Sequence, residues 1–346
     1  MKKFFSRLFG QRKPVLYLHI GLPKTGTSTI QGLLFDNTEA LQHQNYLYPR
    51  ATLGGKSDFA YAHHNLARAA YEQDASIWLS FQKEILANRS KKLLVSSEAF
   101  SNCRNQTQLE FIKSYLEYFD VKIIVYLRRQ DDFLQALYQT IIVYGEEAIP
   151  FDDFYERMFS EHEKNRSLDY YFLVNDIFAT AFGKENIIVR IYEKSQLYQA
   201  DLLRDFLHTV GIEPTSDFAL DIPNNNLSFD AHSLEKYRQL KQIFKGEDEF
   251  LETARRKIRD ANQRKAFRAN NIISRQQSDS FMNKVKESNE KLAREYLDKD
   301  DGILFREDLS ENQESAHPVS KEEIETLLQV IDPAMIDRYR EATRNT

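Results

Sequence analysis

Lys24, Thr25, Thr27, Ser28 and Thr29 bring one cation and four hydroxyls into six residues, with Pro23 before them and Gly26 among them. Groups of this kind, gathered with backbone N–H groups at the head of a helix, hold an oxyanion. Arg128 and Arg129 form a second cationic pair, and guanidinium is suited to bidentate phosphate recognition. Three further side chains can take up a proton: His63 and His64, adjacent in AYAHHNLA, and Glu98. A histidine near its unperturbed pKa of ~6.5 suits general-base work. Together these residues suit the transfer of a charged group from a phosphate-type donor to a nucleophile that loses its proton.

Such residues need elements that bring them together. Val15, Leu16, Leu18 and Ile20 predict a strand buried on both faces, GLPKTGTS a tight turn, and Thr29, Ile30, Leu33 and Leu34 a helix. Further strand runs are Leu93–Val95, closed by Ser96, Ser97 and Glu98, then Val121–Arg129, and Ile187–Ile191. Apolar spacing predicts helices near 59–72, 77–87, 109–119, 131–143 and 202–210, with helical character over 151–183. In the first of these, Phe59, Ala62, Leu66 and Ala70 make the stripe; His63 falls beside it and His64 points away. Strands alternating with helices predict an α/β fold, a P-loop-like parallel sheet covered by helices on both faces, with ligands at the strands' carboxyl ends. After about Asn224 the pattern becomes long and charge-rich, with Ser228 expected to cap the first helix. The expected organisation is a basic segment 1–14, an α/β core 15–222, and a mainly helical part with a tail over 223–346.

A chain of 346 residues with a net charge of -5 has room for a large core and lacks the basic excess of a general nucleic-acid binder. With a single cysteine, Cys103, no disulfide can form within it, which suits a reducing cytoplasm. No run of ~20 apolar residues suggests a membrane span, and no signal peptide is recognisable. The opening MKKFFSRLFGQRK mixes Phe and Leu with Lys and Arg, as in segments that lie on an anionic membrane surface and also in solvated chain ends. Localisation is therefore expected to be cytoplasmic, with residues 1–13 offering peripheral contact at the membrane's inner face. The eight histidines are scattered apart from one adjacent pair, and there is no HExxH, so no metal site is expected.

Gly21 and Gly26 stand five apart, as in a nucleotide P-loop, but Thr27 replaces the lysine that should follow and Lys24 sits inside the loop. This form, PKTGTST, resembles the 5′-phosphosulfate loop of sulfotransferases that use 3′-phosphoadenosine 5′-phosphosulfate (PAPS). The segments SSEAF, LDYYFLVNDIFATAFG, VRIYEKSQL, NNNLSFDAHSLEKYR and ESNEKLAREYLDKDDGILF resemble bacterial carbohydrate sulfotransferases, so the likeness covers roughly 15–305. It implies PAPS as cosubstrate without a required metal, a carbohydrate acceptor, Lys24 as the catalytic cation and residues 23–29 as the phosphosulfate loop. It also implies that Arg128 holds the 3′-phosphate. The family places a serine eight residues after that arginine; here Ala136 stands instead, and half of the clamp is missing. Gln135 and Gln139 carry amide donors nearby in sequence. A base among His63, His64 and Glu98, with the histidine pair favoured, completes the expectation. A P-loop kinase or nucleotidase fits less well without the GK[ST] lysine, whereas Ala136 keeps open a non-catalytic nucleotide- or glycan-binding protein.

Overall fold

The computed structural model describes residues 13–54, 61–88, 90–220, 229–262, 272–307 and 319–344. Most of the N-terminal segment, Phe59 and Ser228 thus lie outside the described residues. Five strands, β1 (Val15–His19), β2 (Tyr46–Leu47), β3 (Lys92–Ser96), β4 (Asp120–Leu127) and β5 (Ile187–Ile191), form one all-parallel sheet in the order β2-β3-β1-β4-β5. The protein is an α/β fold. Leu18 pairs with Val95 on one side of β1 and with Ile123 on the other.

Alternation along the strands divides the sheet's side chains between two apolar layers. Leu16, Leu18, Leu93, Val95, Ile123, Val125 and Val189 pack on one face, with Leu66, Trp78, Phe81, Phe100 and Phe178. Leu94, Ile124 and Tyr126 pack on the other, with Ile30, Leu33, Leu34, Leu203 and Phe206. The second face is covered by helices α1 (Thr27–Asp36) and α2 (Thr38–His43) and by the helix Leu202–Val210. On the first face lie α3 (His64–Glu72), α4 (Ala75–Asn88), α5 (Gln106–Leu116) and the π-helical stretch Phe172–Ala179. β1 leads to β2 on one flank of the sheet and β4 leads to β5 on the other. A crevice therefore opens at the carboxyl ends of the neighbouring strands β1 and β4, where ligands bind in such sheets.

The chain divides into two compact units. The sheet unit takes 1–129, 168–223 and 285–307; the second takes 130–167, 224–284 and 308–346. Residues 285–307 thus belong with the sheet although they come late in the chain. In the second unit, helices Gln130–Tyr144 and Phe151–Asn165 pack through Tyr138, Phe151 and Phe154. Ala231–Ile243 is capped by Asp230, which accepts the N–H of Ser233 at 2.8 Å. The helix thus starts later than the expected cap at Ser228 would have it, with Asp230 as the cap. Among the described residues no helix is long and apolar enough to cross a membrane.

Candidate active site

The loop after β1 continues the sheet before it turns. Leu22 N–H donates to Tyr126 O at 3.0 Å and Tyr126 N–H to Gly21 O at 2.7 Å, so β1 and β4 stay paired up to the crevice. Gly21, with φ of 101°, lets Glu98 approach: a Cβ on it would sit 2.8 Å from that of Glu98. Thr25 is buried and its hydroxyl donates to Leu22 O at 2.6 Å, so this hydroxyl braces the turn. Gly26, left-handed at φ 75°, caps α1, and its carbonyl accepts Thr29 N–H at 3.0 Å. Thr27 is buried, Thr29 and Pro23 are half-buried and Ser28 is exposed at the helix head. The first turn of α1 holds no acidic residue, so nothing of its own offsets the positive end of the helix dipole.

Lys24 is half-buried in this turn. Burial lowers its pKa; the negative charge of Glu98 works against that shift and the Arg128 guanidinium adds to it. The same three groups therefore share one electrostatic neighbourhood. Strand β4 ends at Leu127, two residues short of the expected end, so Arg128 and Arg129 follow it as extended chain at the crevice. Arg128 Nη1 donates to Lys24 O at 3.1 Å, and its guanidinium carbon lies 5.9 Å from the centre of the Tyr192 ring. From beneath, Tyr170 Oη donates to Arg128 O at 2.7 Å.

The proton-accepting candidates sit on the β3 side and separate clearly. His63 is not a helical residue: it precedes α3, at φ -83° and ψ 42°, and is fully buried. The expected helix over 59–72 begins only at His64, so the argument from the apolar stripe does not apply to His63. Its Nε2 lies 2.8 Å from Pro49 O, to which it donates, and its Nδ1 accepts Ser96 N–H at 3.2 Å. With both ring nitrogens engaged and burial pushing its pKa down to about 4, His63 is a structural pin between the β2 exit and β3, not a base. The pair adjacent in sequence is thus split by role.

His64 is half-buried, with Nδ1 2.7 Å from Ser97 Oγ. Ser97 is itself buried and caps the 3₁₀ turn Glu98–Asn102 by accepting Ala99 N–H at 3.3 Å. With one proton and two lone pairs, the Ser97 hydroxyl can meet Nδ1 as donor or as acceptor, so the contact orients the His64 ring without fixing its tautomer. Glu98, the next residue, stands at the head of that turn and accepts Gln31 Nε2–H at 2.9 Å. Its place against Gly21 makes Glu98 the carboxylate at the loop.

Several contributors carry no motif and were not anticipated. Gln31 on α1 orients Glu98, Ser97 fixes His64, and Tyr192 flanks Arg128. His19, at the end of β1, is buried, with Nδ1 2.8 Å from Ser96 Oγ, and burial holds its pKa near about 3. A polar residue inside the apolar run VLYLHIG was the available signal for His19. In the second unit, Gln139 Nε2 donates to Phe229 O at 2.8 Å and Gln135 Oε1 accepts Ile272 N–H at 2.7 Å. Gln139 thus spends an amide N–H on Phe229 O, whereas Gln135 is engaged through its oxygen. Among the described residues no group of three or more His, Cys, Asp or Glu side chains is arranged to hold a metal ion.

No protein-family model matches the chain. A protein of Archaeoglobus fulgidus, itself called uncharacterized, is 26% identical over 248 residues, 72% of this chain and 64% of that protein. The chain thus spans slightly less than two thirds of this relative's length.

Proposed function

We propose that the protein is a sulfotransferase that moves a sulfuryl group from PAPS to a hydroxyl of a carbohydrate acceptor. The observation that carries this reading is the bond from Arg128 to the carbonyl of Lys24, which joins the loop after β1 to the end of β4. It puts two cations, a helix head without acidic residues and the Glu98 carboxylate around one crevice. The carbohydrate acceptor and PAPS itself come from the resemblance of PKTGTST and the later segments.

In this reaction the acceptor oxygen forms a bond to sulfur as the bond between sulfur and the bridging phosphate oxygen breaks. The electron pair leaves with adenosine 3′,5′-bisphosphate. Lys24 and the N–H groups at the head of α1 offset the charge that develops on the leaving oxygen. The acceptor's proton goes to a side chain at the β3 edge. Glu98, which stands against Gly21 of the loop, is favoured as the proton acceptor, with His64 held beside it through Ser97. This reverses the preference drawn from the sequence. The same reading places the enzyme in the cytoplasm, and the basic, aromatic composition of residues 1–13 suits peripheral contact with a membrane's inner face.

Thermal unfolding with added nucleotides tests the proposal. Adenosine 3′,5′-bisphosphate at ~100 times its dissociation constant should stabilise the protein by about 2.7 kcal/mol without a divalent metal. Stabilisation by ATP that appears only with magnesium, and none by the bisphosphate, would assign the loop to a kinase or nucleotidase.

A further inference from the structure

The carboxylate and the ammonium beside the loop after β1 are near each other and are held by different elements. Gly21 sets the stem of Glu98: a Cβ on that glycine would lie 2.8 Å from Cβ and 3.0 Å from Cα of Glu98. Lys24, next but two along the loop, is left-handed at φ 64° and half-buried. Burial lowers its pKa, and the Glu98 charge, felt through space, raises it. Oε2 of Glu98 is taken by Gln31, whose Nε2–H donates to it at 2.9 Å. Gln31 is only 3% exposed and lies on α1 between the fully buried Ile30 and Leu33, one turn after Thr27 at the helix head.

An amide buried beside isoleucine and leucine costs free energy that a hydrogen bond must offset, whereas an apolar side chain would pack there without that cost. What the amide adds is direction. With its stem fixed at Gly21, the Glu98 carboxylate can still turn about its side-chain bonds. Beside a half-buried ammonium a free carboxylate would pair with it, because attraction between opposite charges grows as water is excluded. Such a pair would neutralise the cation that the loop offers to an anion. We propose that Gln31 is a positioning residue that holds the Glu98 carboxylate on α1 and away from Lys24, so that the ammonium stays available to an anionic donor. This rests on the sulfotransferase reading for the identity of the donor and deepens it: one amide keeps the cation and the proton acceptor of the same site from cancelling each other.

Calorimetry on wild type, Gln31→Leu, Gln31→Asn, Glu98→Gln and the Gln31→Leu/Glu98→Gln double variant tests this, with adenosine 3′,5′-bisphosphate and inorganic pyrophosphate as ligands. Gln31→Leu should weaken both ligands roughly fivefold, between the effect of an exposed ion pair and that of a lost bond to a charged group. Gln31→Asn, whose amide is one methylene short of the carboxylate, should show the same loss and keeps the test open if the leucine variant does not fold. Glu98→Gln should bind both ligands at least as well as wild type. Adding Gln31→Leu to it should change affinity less than about twofold, because the released side chain no longer carries charge. Weakening that persists in full in the Glu98→Gln background would mean that Gln31 acts on the loop by packing alone, and would overturn the proposal. So would affinities within about twofold of wild type in both Gln31 variants. Wild type that binds pyrophosphate but not the bisphosphate would overturn the sulfotransferase reading, while the Gln31 series on pyrophosphate would still decide the role of Gln31. Wild type that binds neither ligand would overturn both.

Discussion

Two flanks of the loop after β1 are built on different chemistry. On the β3 flank, polar side chains saturate one another and the nearby backbone: His63 joins Pro49 to Ser96, His19 meets Ser96, and Ser97 meets His64. Burial keeps His19 and His63 neutral. On the β4–β5 flank, guanidinium groups lie against carbonyls, Arg128 on Lys24 and Arg129 on Glu307. One flank is a neutral, pinned wall ending in the Glu98 carboxylate; the other is cationic. An anionic donor on the second flank and a neutral hydroxyl at the edge of the first is the division of labour this arrangement supports.

The comparison breaks most sharply at Lys24, which lies between the flanks. Lys24→Ala should lower sulfuryl-transfer kcat on the order of 10²–10³-fold, and should weaken bisphosphate binding much less, because its charge counts most as the leaving oxygen charges. A purified variant within threefold of wild-type kcat would remove Lys24 from the chemistry.

On the β3 flank, Glu98→Gln should cost on the order of 10²-fold or more in rate with the fold intact, as loss of a general base does. His64→Ala should cost less, and His63→Ala should chiefly cost stability. Loss of the His63 ring leaves Ser96 N–H and Pro49 O buried without partners, at least about 2 kcal/mol together. Steady-state kinetics paired with urea unfolding separates the three. An active Glu98→Gln beside a dead His64→Ala would return the proton to the histidine.

The pinned wall also predicts a pH dependence of stability. The folded pKa values of His63, about 4, and His19, about 3, lie below the unfolded value near 6.5. The unfolded chain then binds protons that the folded chain refuses, so stability is complete above about pH 6.5 and is lost as pH falls below it. Each imidazole contributes a slope of about 1.4 kcal/mol per pH unit until its folded pKa is reached. Urea titrations at pH 7, 6 and 5 should show the loss, and His63→Gln should flatten it. A slope unchanged by that substitution would mean that His63 is not the group responsible.

Much of this was legible locally. The apolar run Val15–Ile20, the run Ile187–Ile191 and the Gly21/Gly26 spacing predict a buried parallel sheet and a tight turn into a helix, because side-chain period and turn chemistry are properties of neighbours in sequence. The two histidines could not be told apart that way. A helix drawn through 59–72 gives His63 and His64 different faces, but the actual start at His64 turns His63 into a buried pin, and only Pro49 and Ser96 reveal it. Nor could spacing show that Ser97 meets His64, that Gln31 holds Glu98, or that Glu307 meets Arg129 from 178 residues away. The sequence by itself determined the strands, the loop and the types of charge beside it, through interactions of short range. Tertiary structure decided protonation and pairing, because burial and hydrogen-bond partners arise only when segments distant along the chain are brought into contact.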